Sequence, residues 1–214
     1  MQSCAVLIPA FNEAANVPSV VRVALEAALG PVLVVDDGSG DATALAAERA
    51  GATVLRLPRN EGKGGALFAG ARALSSDVVV LVDADLLGLR PEHLRDLALP
   101  VLRGEVEMTR GVFAGGRWRT TAAQRLTPQL NGQRALKREL LLSVPGLKSS
   151  RYGVEIAITE HAKRSGWRVR DVPLAGVSQV MKEEKRGFWQ GVAMRLKMYA
   201  EILWELVRSA LRAP

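Results

Sequence analysis

Short, continuous apolar runs rich in valine and leucine recur through the first half of the chain: Ala5–Ile8, Val32–Val35, Thr53–Leu57 and Val78–Val82. Between them stand helical patterns, Ala14–Leu29, Ala42–Ala50 and Gly65–Leu74. A strand that is apolar at consecutive positions must be covered on both faces, and helices between successive strands provide that cover while returning the chain for parallel pairing. The expected fold class is α/β, a mostly parallel central sheet with helices on both faces. Each run is followed by a polar cluster: Asn12-Glu13, Asp36-Asp37, Arg59-Asn60-Glu61 and Asp83-Ala84-Asp85. In an open α/β sheet such clusters gather along the carboxyl edge, where ligands bind.

The second half is less regular. Pro91–Leu102 reads as a helix begun by its proline, and a strand is expected near Val106–Phe113, leading into Gly115-Gly116. Helices are expected over Gly132–Leu142 and Val154–Lys163, and a strand over Trp167–Val172 stopped by Pro173. From Phe188 the apolar residues Val192, Leu196, Tyr199, Leu203 and Leu206 recur at helical spacing, which predicts a C-terminal amphipathic helix. With 214 residues, 48% of them hydrophobic, one domain spanning 1–214 is expected, in two halves, 1–107 and 108–214. The single cysteine, Cys4, excludes an internal disulfide. No apolar run approaches the roughly 20 residues of a membrane span, and no signal-peptide pattern precedes the first strand, so the expected location is cytoplasmic.

Charge separates the halves. Residues 1–107 hold 14 acidic and 9 basic side chains, whereas 108–214 hold 8 acidic and 20 basic. Between Met108 and Arg138 there is no acid, but Arg110, Arg117, Arg119, Arg125, Arg134, Lys137 and Arg138 are present. Such a stretch attracts phosphate or an anionic surface, or it is a solvated basic face. Aromatic residues are sparse there and no recognised motif appears, so no nucleic-acid partner is expected.

Two glycine motifs are excluded by their neighbours. Gly62-Lys63-Gly64 lacks the upstream glycine and the following Ser or Thr of a P-loop. Gly38-Ser39-Gly40 follows a strand, but Thr43 stands where a dinucleotide fingerprint needs Gly or Ala. Asp83-Ala84-Asp85 differs in kind. Two carboxylates separated by one small residue after an apolar strand can offer hard oxygen ligands to Mg²⁺ or Mn²⁺, though an isolated Asp-x-Asp also serves as a turn or cap.

In this arrangement the chain resembles the family-2-like glycosyltransferases of the GT-A fold, a group that includes polyprenyl-phosphate sugar synthases and glucosyl-phosphoglycerate synthases. The stretches that carry the resemblance are 7–13 (LIPAFNE), 34–39 (VVDDGS), 60–64 (NEGKG) and 82–85 (VDAD), in the family's order and each at a strand end. It is close over residues 4–90 and looser beyond. The resemblance implies a nucleotide-sugar-binding half, 1–107, and an acceptor half, 108–214. Pro9, Ala10, Phe11 and Glu13 would line the nucleoside pocket, with Glu13 accepting from ribose hydroxyls. Asp37 would accept from the base, and Gly62 and Lys63 would close over the nucleoside. Asp83, Ala84 and Asp85 would form the centre that holds a divalent cation, Mg²⁺ or Mn²⁺, against the donor's diphosphate. Relatives often add a late histidine as a ligand; here that position is read as Gln179, a weaker neutral oxygen ligand.

Glu155 is the remaining carboxylate best placed in sequence to contact acceptor or donor sugar, and it is read with Asp85 as catalytic. Arg117, Arg119, Arg125 and Arg134 can bind phosphate in fork geometry. The function expected is transfer of a hexose from a nucleoside-diphosphate sugar, UDP-glucose favoured over GDP-mannose, to a phosphate-bearing acceptor. That acceptor would be polyprenyl phosphate or a phosphorylated small acid. A nucleotidyltransferase and a catalytically impaired nucleotide-sugar-binding module are the alternatives. The C-terminal helix is suited to an anionic bilayer, to its own domain or to a homodimer.

Overall fold

A computed structural model describes residues 2–114, 132–150 and 153–179. Strands β1 (Cys4–Ala10), β2 (Val32–Asp36), β3 (Thr53–Arg56) and β4 (Val78–Leu81) alternate with helices α1 (Val17–Glu26), α2 (Thr43–Arg49) and α3 (Lys63–Ala73). After them come β5 (Leu86–Leu87), α4 (Pro91–Leu102), β6 (Met108–Ala114), β7 (Arg134–Lys137) and α5 (Arg138–Leu142). A single 3-10 turn at Leu147–Ser149 leads to α6 (Val154–Arg164), β8 (Val169–Ala175) and β9 (Ser178–Gln179).

The main sheet has the order β3-β2-β1-β4-β7-β6-β8. All its pairings are parallel except those of β7, which runs antiparallel to both β4 and β6. Alternate residues of each inner strand enter opposite layers. Val6, Ile8, Val34, Val78 and Val80 pack with α1 and α4 through Val20, Val21, Leu94 and Leu97. Leu7, Leu33, Val35, Val79 and Leu81 pack with α3, α5 and α6 through Leu67, Leu141 and Ile158. Leu7 and Ile8 are completely buried, and each contributes on the order of 1.5–3 kcal/mol by that burial. At Gly70 an added Cβ would lie 2.3 Å from Leu7 and 2.9 Å from Val35, so α3 rests directly on the sheet.

The first-half expectations match the elements, α4 spans the expected residues, and β3, the edge strand, is only partly covered. Two expectations in the second half are corrected. Residues 132–142 are not one helix: Arg134–Lys137 form β7 and only Arg138–Leu142 are helical. The open edge of β4 overrides the helical preference of Arg, Ala, Leu and Lys, because Leu81, Val80, Val79 and Val78 pair with Arg134, Ala135, Leu136 and Lys137. Nor does Pro173 stop its strand. It lies within β8 opposite Val112, and β8 is an edge strand, where proline is tolerated because one side makes no ladder. Arg117, Arg119, Arg125 and the expected C-terminal helix lie outside the described residues. Among those described, no helix is long and apolar enough to cross a membrane.

Candidate active site at the carboxyl edge

The β1 and β2 ends are stitched to each other. Asn12, at a left-handed φ of 54°, accepts from the Gly40 N–H at 2.9 Å, and its own N–H donates to Ser39 Oγ at 2.9 Å. The Glu13 N–H donates to Thr43 Oγ1 at 2.8 Å, while its carboxylate accepts from Asn16 Nδ2 at 2.8 Å. Asp37, only 3% exposed, accepts from the backbone N–H groups of Glu61 at 2.7 Å and Gly62 at 2.9 Å. It thereby fixes the loop between β3 and α3. Gly38 permits this approach: its φ is +70°, and a Cβ there would lie 2.7 Å from the Arg59 backbone. Phe11 stays 40% exposed at the end of β1, a flat apolar surface at the edge, whereas Ala10 and Ala84 are buried in the core.

At the end of β4 a different cluster forms. Lys63, the first residue of α3, places Nζ 2.5 Å from Asp83 Oδ1 and 2.5 Å from Glu155 Oε1. Burial opposes the charge on this lysine, but Asp83 and then Glu155 outweigh it and hold the ammonium above lysine's ordinary range. The other Asp83 oxygen accepts from Gln133 Nε2 at 2.9 Å and Gln179 Nε2 at 2.7 Å. Gln179 reaches it because β9 pairs antiparallel with β5, setting Leu86 opposite Gln179. Asp85 stands half-buried two residues from Asp83.

Arg134 lies beneath this cluster and is fully buried. Its guanidinium donates to Thr159 Oγ1 at 2.9 Å and to the Glu155 carbonyl at 3.1 Å, gripping the first turn of α6. Burial pushes its pKa down to about 10, so it remains charged at neutral pH. The structure thus sets Arg134 inside the fold, apart from any solvent-facing phosphate clamp. The two histidines also have structural surroundings: His93 joins Arg90 in capping α4, and His161 packs edge-on against Trp167 at 5.2 Å.

The donor set fits a hard divalent cation. Asp83 and Asp85 supply charged oxygens, and Gln179 can turn its amide to present the carbonyl oxygen. Among the described residues no three His, Cys, Asp or Glu side chains gather; amide oxygen, water or a bound diphosphate can complete an oxygen shell. Gly132 leaves the room: a Cβ there would lie 2.5 Å from Lys63 Nζ and 2.6 and 2.8 Å from the Asp83 oxygens. A separate groove of about 700 Å³ opens between the β3–α3 loop and the Gly146–Ser149 turn, but Lys63, Asp83 and Glu155 do not line it.

Sequence reasoning marked Lys63, Asp83, Glu155 and Gln179, and the structure brings them together from four segments. It missed Gln133 as a contact of Asp83 and the space at Gly132. Their one signal was their place beside Arg134 in the 131–136 stretch (NGQRAL), where sequence reasoning gave a role to the arginine alone.

Comparison with known proteins agrees with this geometry. Residues 5–155 match the profile of glycosyl transferase family 2. Glucosyl-3-phosphoglycerate synthase of Mycobacterium tuberculosis is 32% identical over 195 residues, which cover 73% of this chain and 60% of that protein. An uncharacterized glycosyltransferase of the same species, Rv0539, is 29% identical over 191 residues, 79% of this chain and 83% of the relative. The chain spans about three fifths of the length of the curated synthases it matches. The crystal structure of the M. tuberculosis synthase in complex with Mn²⁺, UDP-glucose and phosphoglyceric acid superposes with a TM-score of 0.70 at 29% identity. That match covers 92% of this chain and 79% of the other. A second structure of that synthase, with phosphoglyceric acid, gives a TM-score of 0.75 over 94% and 79%. The strand order, the carboxyl-edge cluster and the matched profile together establish that this chain belongs to glycosyl transferase family 2, with the GT-A architecture.

Proposed function

We propose that this protein transfers glucose from UDP-glucose to a phosphoglycerate-type acceptor with the help of Mn²⁺ or Mg²⁺. The observation that carries the reading is the meeting of Lys63, Asp83 and Glu155 at the strand ends, in a chain similar to a synthase crystallised with those ligands. On this reading Phe11, Pro9 and the backbone at Ala10 flank the nucleoside, and Glu13 accepts from ribose hydroxyls. Asp37 sets the wall of that pocket by holding the Glu61 and Gly62 amides, and would accept from the base. Asp83 and Asp85, with Gln179 alongside, would hold a cation whose charge stabilises the departing diphosphate. Lys63, whose ammonium lies between Asp83 and Glu155, would add positive charge beside the diphosphate. Glu155 stays on the acceptor side, positioned to orient a hydroxyl and receive its proton.

The acceptor's phosphate falls to Arg117, Arg119 and Arg125, while Arg134 serves from beneath by holding the Glu155 turn of α6. A small phosphorylated acid is preferred to polyprenyl phosphate because the synthase structures contain phosphoglyceric acid. The test is steady-state transfer from UDP-glucose and GDP-mannose to 3-phosphoglycerate, polyprenyl phosphate and a neutral sugar, with and without Mn²⁺. Mn²⁺-dependent glucose transfer to 3-phosphoglycerate is expected. UDP-glucose binding without transfer to any acceptor would favour an impaired binding module, in which Gln179 fails as a ligand.

A further inference from the structure

The start of β7 does more than extend the sheet. Gly132, Gln133 and Arg134 are consecutive and buried, and each bears on a different part of the cluster. Gly132 lies against Lys63 Nζ and both Asp83 oxygens, closer than any side chain would allow. Its backbone lies outside the left-handed region, so the position demands space and not an unusual conformation. Gln133 is completely buried, and its carbonyl accepts from the Gly111 N–H at 2.8 Å, which anchors the residue to β6. From that anchor its amide reaches Asp83 Oδ2.

We propose that Gln133, seated beside the space left by Gly132, is a positioning residue that sets the orientation of Asp83 for the cation. This rests on the metal-dependent transfer proposed above. The two amides on Asp83 Oδ2 have different standing. Gln179 arrives from an exposed two-residue ribbon, whereas Gln133 is enclosed between β4 and β6 and has no exposed surface. Gln133 therefore fixes one Asp83 oxygen from within the fold, turning the carboxylate plane so that the other faces Lys63 and the open side. A ligand carboxylate held in this way keeps its geometry when the cation arrives, and loss of such a hydrogen bond typically weakens metal binding by about 10–100-fold. Gly132 keeps the approach clear.

The experiment compares the parent protein with Gln133→Met, which retains shape but has no N–H donor, and Gly132→Ala. Mn²⁺ binding in the presence of UDP is measured by calorimetry, uridine binding is measured without metal, and unfolding is followed without any ligand. For Gln133→Met, Mn²⁺ affinity is expected to fall about 10–100-fold while uridine affinity is unchanged. Gly132→Ala is expected to weaken Mn²⁺ binding as well, because the methyl group displaces Asp83 or Lys63. Unchanged Mn²⁺ affinity in Gln133→Met overturns the proposal. So does a parallel loss of Mn²⁺ and uridine binding with a lowered unfolding temperature, which marks a purely structural residue. If Gln133→Met does not fold, Gly132→Ala decides: unchanged Mn²⁺ affinity there overturns the assignment. A parent protein that binds UDP but not Mn²⁺ overturns the underlying functional reading instead, and that outcome is visible before any variant is made.

Discussion

Asp37 and Asp83 both follow parallel strands, yet they are held in opposite ways. Asp37 is held by backbone N–H groups of the neighbouring loop, all within the β1–β4 half. Among the described residues, side chains from α3, from the start of β7 and from β9 hold Asp83. Backbone partners cannot leave without unfolding a loop, whereas side-chain partners can exchange for a ligand. The first carboxylate is built into the fold; the second is poised at a seam between halves. A carboxylate's place after a strand therefore says less about its role than the kind of group that satisfies it.

The sharpest way to break this contrast is at the seam. Asp85→Asn is expected to lower turnover by at least about a hundredfold while leaving the unfolding temperature unchanged, since a cation's help to the diphosphate amounts to several kcal/mol. Full activity in the variant, measured as steady-state transfer at saturating Mn²⁺, would remove the metal assignment.

Next comes Asp37→Ala, where the order of effects reverses. Two part-buried backbone donors lose their acceptor, and since one fully buried unsatisfied donor costs about 1–3 kcal/mol, stability in urea should fall by about 1–3 kcal/mol in all. Donor affinity should fall with it, because the wall of the nucleoside pocket loosens. An unchanged unfolding midpoint would erase the distinction between the two carboxylates.

Lys63→Met sharpens the comparison from the other side. Without the ammonium, Asp83 and Glu155 face each other as like charges, and the metal-free protein should lose stability. Added Mn²⁺ should then raise the unfolding temperature more in the variant than in the parent. An equal rise in both proteins would mean that Lys63 does not stand in for cation charge at Asp83.

The smallest effect concerns a pair remote from the site. Arg168 beside Glu107 draws that carboxyl's pKa from its ordinary 4.5 down to about 2. A depressed carboxylate stabilises the fold above its unfolded pKa and loses that contribution as pH falls through the folded value, so the window is roughly pH 4.5 to 2. Because Arg168 is largely exposed, the contribution is about 1 kcal/mol or less. Glu107→Gln should flatten acid denaturation slightly within that window and leave transfer unaltered.

What was legible in the sequence divides along the same seam. Ala5–Ile8, Val32–Val35 and Val78–Val82 announce themselves because inner parallel strands are apolar on both faces, and Pro91 marks the start of α4. Arg134–Lys137 carry no such mark. Their strand exists only because β4 and β6 both offer an edge, a fact about partners far away in sequence. The two-residue strands Leu86–Leu87 and Ser178–Gln179 are too short for any periodicity, yet their pairing delivers Gln179 to Asp83. Asp83, Lys63 and Glu155 could be named from motif and residue type, but their mutual contacts and the role of Gln133 depend on where β7 inserts.

That insertion also bears on how the molecule is made. Strand β4 ends at Leu81, and its outer neighbour begins at Arg134, more than fifty residues later. While the chain emerges from a ribosome, β1 to β4 can assemble as soon as they are available, leaving a valine-rich edge of β4 open throughout the interval. Neither β6 nor β8 can close it, because both lie beyond β7 in the finished order. An open parallel edge is a template for other unfinished chains. The strand that brings Gln133 to Asp83 is thus also the one that ends the period of greatest exposure to aggregation during synthesis.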